Sequence, residues 1–369
     1  VNRRHLLRTG LQAGALAAAP LLGLAGDQRY YTPDDPTRFE LSPPPPKTIL
    51  GVHTRLTDEV EPWKISETLD LVRAMGAGWI VELFPWAYIE PRRGEEDWAH
   101  PDLVVREANR QGLEIIARLD FVPDWARPKG STPRFLPETS WADYASFVGR
   151  FARRYREAVQ YFVIWNEPNT TFELGFQPVD PGAYVQLLDL AGRAIRDANP
   201  KAIVMPAGLA PTLDRSDLAL DDVLYLQALY DHGARGLFDA LAVHSYGWKF
   251  PPDSDAKPDR LNFARAELLR DVMVKNGDAG KPIIITESGW NDSPRWTKAV
   301  HPGQRIQYTL RALDKVKTDW PWTQAMCIWA FRLPAPAHDY NDYFTLVDTT
   351  FRLKPIYDQL QARSASWLR

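Results

Sequence analysis

Two short segments, Ile164-Trp165-Asn166-Glu167-Pro168-Asn169 and Ile285-Thr286-Glu287-Ser288-Gly289-Trp290, each place a glutamate at the end of an apolar run among aromatic and amide side chains. An ionised carboxylate beside a buried strand destabilises the fold unless water or a partner compensates it. Two of them on one scaffold point to paired-carboxylate chemistry, and the reaction that most often needs such a pair is glycoside hydrolysis. Rival chemistries find little support. The seven histidines are scattered, with no His-x-x-x-His helix and no cysteine pair, so no metal is expected. Asp339, Asn341 and Asp342 read as a solvated polar loop rather than a calcium site. There is no Gly-rich phosphate loop and no Ser–His–Asp arrangement, and no cofactor is expected. The single cysteine, Cys327, rules out an internal disulfide and reads as a small buried hydrophobe.

The elements that must position these glutamates follow from the hydrophobic pattern. Apolar runs fall at residues 48–53, 78–84, 113–119, 161–165, 202–207, 240–244, 282–286 and 325–330. Most are unbroken by charge, as strands buried on both faces should be. Amphipathic segments lie between them. In one, Trp141, Tyr144, Val148, Phe151 and Tyr155 recur at steps of three and four. Another opens on Asp180-Pro181, a cap followed by proline in the first turn, and stops at Asn199-Pro200. Gly112 closes the helix before the third run. Eight strand-then-helix units predict a single-domain (β/α)8 TIM barrel over residues 47–369. Both glutamates then stand at the carboxyl ends of strands, the fourth and the seventh, where this fold builds its sites. A doubly wound open sheet is the rival, and no Gly-rich fingerprint after the first strand supports it.

The first residues read differently. Arg3-Arg4-His5-Leu6-Leu7 followed by an alanine-rich apolar stretch at 11–25 predicts a twin-arginine-like export signal over residues 1–26, and hence a secreted or extracytoplasmic protein. The stretch is short for a membrane span, so no membrane contact is expected beyond N-terminal anchoring. Residues 27–46, ending in Pro43-Pro44-Pro45-Pro46, read as a linker in extended polyproline form. A formal net charge of −3 and a pI near 6.2 give no reason to expect a nucleic-acid partner, which favours a basic patch.

Beyond residue types, the chain resembles the clan A glycoside hydrolases, the family 5 and family 39 barrels of cellulase or β-xylosidase type. Trp165-Asn166-Glu167-Pro168-Asn169 matches the clan's acid/base motif closely. His244-Ser245-Tyr246-Gly247 resembles its strand-six motif, Thr286-Glu287-Ser288-Gly289-Trp290 its nucleophile segment, and Phe84-Pro85-Trp86 through Ile89-Glu90-Pro91-Arg92-Arg93-Gly94 the segment after strand two. The resemblance implies a retaining enzyme acting on a carbohydrate, with Glu167 as general acid/base and Glu287 as nucleophile. It implies that Asn166 contacts the sugar 2-hydroxyl and that Tyr246 donates to Glu287. Trp329 is implied as the floor under the sugar and His244 as a substrate contact, with a purely structural histidine as the alternative. The loop positions of Trp290, Trp125 and Trp86 suggest further subsite walls. One departure stands out: strand two carries Glu82 where many clan members supply an arginine near the nucleophile. Glu82 reads either as a specificity residue or as a salt-bridged scaffold acid, and Arg55 or Arg118 remains to supply the positive charge. A non-catalytic carbohydrate-binding barrel and a transglycosidase share the same scaffold.

Overall fold

A computed structural model describes residues 48–367; the expected export segment 1–26 and the expected linker 27–46 lie wholly outside the described residues, as does the terminal pair. Eight parallel strands occur: β1 Leu50–His53, β2 Trp79–Pro85, β3 Glu114–Asp120, β4 Tyr161–Ile164, β5 Ile203–Pro206, β6 Leu241–Tyr246, β7 Ile283–Gly289 and β8 Thr323–Ile328. Their order in the sheet is β5-β4-β3-β2-β1-β8-β7-β6, so β1 pairs with β8 and the sheet curls into a nearly closed barrel. Seven interfaces carry a paired register; the β5–β6 seam is in contact without one.

The helices among the described residues are α1 Pro62–Ala74, the one-turn α2 Trp86–Ile89, α3 Ala99–Arg110, α4 Trp141–Arg154, α5 Pro181–Ala198, α6 Asp222–Asp231, α7 Arg265–Lys275, α8 Pro302–Thr318 and α9 Pro355–Trp367. Local chemistry sets their ends. Asp180 caps α5 by accepting from Ala183 N at 3.0 Å, with Pro181 in the first turn where its missing N–H costs nothing. Gly112 adopts φ 67° after α3, as a left-handed cap requires. None of these helices is long and apolar enough to cross a membrane.

Strand parity divides the core in two. Trp79 and Val81 of β2, Ile116 of β3, Val163 of β4, Met205 of β5, Ala242 of β6, Ile284 of β7 and Cys327 of β8 fill the barrel interior. The alternate positions, such as Ile80, Phe84, Ile115 and Phe162, pack outward against the helices. Gly51 lets β1 close onto this interior, because a Cβ there would lie 2.6 Å from Cys327 Sγ. Two residues on from interior positions come Arg118 (after Ile116), His244 (after Ala242) and His53 (after Gly51), so the interior's top layer is polar.

Candidate active site

That polar layer meets the two glutamates. Between β6 and β7 the register slips: Val243 pairs with Ile285 but His244 pairs with Glu287, so β7 carries one extra residue, Thr286. Such a bulge re-aims the side chains beyond it, and it sets Glu287 level with His244. At the end of β4 the chain turns sharply. Trp165 and Glu167 have φ 74° and 40°, a left-handed backbone that non-glycine residues rarely hold without support. The support is dense. Trp165 Nε1 donates to Glu173 O at 2.8 Å, and Tyr184 Oη donates to Ile164 O while accepting from Ala207 N. Glu167 N donates to Gly208 O at 3.1 Å.

The carboxylates are held in different ways. Glu287 Oε2 accepts from Tyr246 Oη at 2.7 Å and Oε1 from Arg118 Nη1 at 3.3 Å. His53 Nε2 lies 3.6 Å from Oε1, and His244 Nδ1 lies 3.8 Å from Oε2. Burial works against charge on Glu287, yet His244, His53, Arg118 and the Tyr246 hydroxyl overrule it and hold its pKa below the usual carboxylate value. His53 is itself pushed down to about 3 by burial, so at neutral pH it is uncharged and Arg118, His244 and Tyr246 carry the effect. The His53 tautomer follows from its partners: Nδ1 donates to Thr54 O at 2.9 Å and Nε2 faces Arg118 Nη1 at 3.4 Å. Tyr246 remains a protonated donor, because burial and the Glu287 charge push its pKa well up.

Glu167 has more room, with about a quarter of its side chain exposed and one close side-chain partner, His244 Nδ1 at 2.8 Å from Oε1. Burial disfavours a charged His244, but the two glutamates outweigh it and raise its pKa. Gly208 makes this contact possible, since a Cβ there would fall 2.3 Å from His244 Cδ2. Asn166 Oδ1 accepts from Arg118 Nη1 at 3.1 Å, which fixes the amide and leaves its NH₂ as the outward donor. An oxygen of each glutamate and a His244 nitrogen lie within 4.8 Å of one another. These are also metal-ligand types, but Tyr246 and the Arg118 guanidinium already occupy the Glu287 oxygens, so the set does not fit a resident cation.

The remaining expected residues divide. Trp329, just past β8, is half-buried and packs edge-on against Phe344 at 5.2 Å, which in turn meets Tyr246. Glu82 is a scaffold acid. By strand parity it points away from the interior, where its carboxylate accepts from Thr54 Oγ1, Leu56 N at 3.0 Å and Thr57 N at 2.9 Å, holding the loop after β1. No ion pair joins it to Arg118 among the described residues; Arg118 pairs with Glu287 and Asp120. Trp86 and Trp290 are core residues rather than walls, each almost wholly buried, with Trp86 Nε1 donating to Glu90 and Trp290 Nε1 to Phe250 O. Trp125 is half-buried, but the Arg93 guanidinium covers its ring at 4.4 Å and Trp86 meets its edge. His53 and Gly208 belong to the site without standing in any of the sequence motifs. The signal for His53 was its place as the last residue of β1; nothing in the sequence marked Gly208.

No protein-family model and no curated protein matches the sequence. Solved structures do resemble the fold. A family 39 glycoside hydrolase from the gut symbiont Bacteroides cellulosilyticus superposes with a TM-score of 0.69 and 19% identity, over 86% of this chain and 63% of its own. This chain has the barrel fold of the glycoside hydrolases. A monomeric beta-xylosidase from Caulobacter crescentus gives a TM-score of 0.63 at 18% identity, over 85% of this chain and 67% of its own. A GH5_18 protein from Bifidobacterium longum in complex with Manb1-4GlcNAc gives 0.63 at 14%, over 87% and 78%. The chain thus spans under two thirds of the first of these glycoside hydrolases.

Proposed function

We propose that the protein is a retaining glycoside hydrolase that cleaves O-glycosidic bonds, β-linked by its resemblance to clan A, with Glu287 as nucleophile and Glu167 as acid/base. The observation that carries this reading is the approach of the two carboxylates to within 4.8 Å. Retaining pairs stand ~5–5.5 Å apart, whereas inverting pairs stand ~6.5–9.5 Å apart to admit a water. In the first step Glu287 attacks the anomeric carbon, the bond to the departing oxygen breaks, and Glu167 gives that oxygen its proton. In the second, Glu167 takes a proton from water, whose oxygen attacks the same carbon and frees Glu287.

Each neighbour has a part in this scheme. Arg118 and Tyr246 keep Glu287 ionised and aimed. His244 Nδ1 lies 2.8 Å from Glu167 Oε1 and 3.8 Å from Glu287 Oε2, so it stays beside the base when Glu287 becomes an ester. Asn166, braced by Arg118, offers its NH₂ to the sugar 2-hydroxyl, a bond that strengthens as positive charge develops on the ring. The Arg3-Arg4 segment supports export as the route to a glycan outside the cytoplasm.

Product profiling on aryl β-glycosides, xylans, mannans, galactans, β-glucans and bacterial exopolysaccharides tests the reading, with Glu287→Ala as control. Release of sugar with retained anomeric configuration by the wild type alone is expected. Inverted product overturns the retaining mechanism, and binding without release by either protein identifies a carbohydrate-binding barrel.

A further inference from the structure

The loops after β6, β7 and β8 carry a run of aromatic rings that begins at the catalytic pair. Tyr246, the donor to Glu287, lies 6.3 Å from Trp248 between ring centroids. Trp248 is 5.6 Å from Trp296, which stacks on Tyr340 at 4.9 Å and 11°. Trp248 and Trp296 are half-buried and Tyr340 is exposed.

Trp248 sits where its own side chain is disfavoured. Its φ of 53° is in the left-handed region, an outlier for so bulky a residue. Its indole N–H also finds no acceptor among the described residues. Strain and an unsatisfied donor at one ring single Trp248 out within the aromatic run. The turn is fixed from below by Trp290: a Cβ on Gly247 would fall 1.8 Å from that indole, so only glycine lets the loop lie on it. Trp290 Nε1 then donates to Phe250 O at 2.8 Å, while Gly247 N donates to Gly289 O at 3.1 Å. On the open side, Lys298 Nζ rests 4.2 Å over the Trp248 ring, with no carboxylate partner among the described residues. A cation–π contact at an exposed site is weak, so the apolar face of a sugar can replace it.

We infer that Trp248 and Trp296 form a second sugar subsite on the glycone side, so that the site takes a chain of at least two sugar units there. This rests on the glycosidase reading. The side is part of the inference: the aromatic run starts from Tyr246, the donor to the nucleophile Glu287, and not from Glu167. Aromatic rings suit this task because they present a broad rigid face to the C–H bonds of a pyranose.

The test compares aryl β-glycosides of a monosaccharide and of the matching disaccharide with one leaving group. Wild type should show kcat/KM about tenfold or more higher on the disaccharide. Trp248→Gly removes the ring while relieving the left-handed backbone, which partly offsets the lost packing, so it should still fold cooperatively and lose that gain through KM. Trp296→Ala should reduce the gain, and Trp248→Phe should keep part of it. Equal kcat/KM on the two substrates in wild type, or an intact gain in folded Trp248→Gly, overturns the subsite. Absence of turnover on every glycoside overturns the glycosidase reading and the subsite with it.

Discussion

The ends of β4 and β7 each present a glutamate to the same space, yet they are built on opposite plans. At β7 the backbone is an extended strand with one bulge, and Glu287 is almost buried, bonded by Tyr246 and Arg118 and flanked by two histidines. At β4 the backbone is strained, while Glu167 itself is more exposed and, among the described side chains, bonded closely to His244 alone. A nucleophile must stay charged and stay aimed, which fixed donors achieve. An acid/base must gain and lose a proton within one turnover, which a cage of permanent donors would oppose. In one case the rigidity is in the side chain's partners, in the other in the backbone that carries it.

Substitutions can break that contrast. The largest effect belongs to the glutamates themselves. Glu287→Gln should lower kcat ~10⁴-fold on every glycoside, whereas Glu167→Gln should cost ~10²–10⁴-fold on poor leaving groups and far less on activated aryl glycosides. Equal losses across leaving groups in a Brønsted series would erase the distinction between the two positions. Next comes Arg118→Met, which takes away the cation but leaves the strand intact, and should lower kcat/KM about 10²-fold. Because Arg118 helps depress the Glu287 pKa, its loss raises that pKa, and the acidic limb of the kcat/KM profile should move to higher pH. A limb that stays in place would show that Glu287 does not depend on this charge. The smallest effect is expected for Gly208→Ala, whose Cβ drives His244 off Glu167 and should destabilise the fold by about 1–3 kcal/mol. Its kinetic signature should be an acidic limb moved to higher pH, since His244 is one of the groups that hold the Glu287 pKa down.

The same contrast explains what was legible in the sequence. Barrel strands buried on both faces are continuous apolar runs, so all eight were placed within a few residues, and strand ends located both glutamates. The role of Arg118 was open in the sequence, although its parity with Ile116 puts it inside the barrel. Glu82 follows Val81, an interior residue, and therefore faces the helices, a placement that strand alternation alone carries. The tryptophans were harder. Loop position gives no signal of which way an indole turns, so Trp86 and Trp290 read like Trp329 until packing separates them. The close approach that Gly208 permits is a contact across strands and leaves no local pattern.

Trp290 acts on the proposed subsite from beneath. It is hidden from the cleft, yet it is the anvil against which Gly247 and Phe250 set the tilt of the ring above. On the subsite reading, a substitution there would change which sugars bind without touching one. Choice of substrate would then be set from the interior of this barrel, with every cleft residue kept.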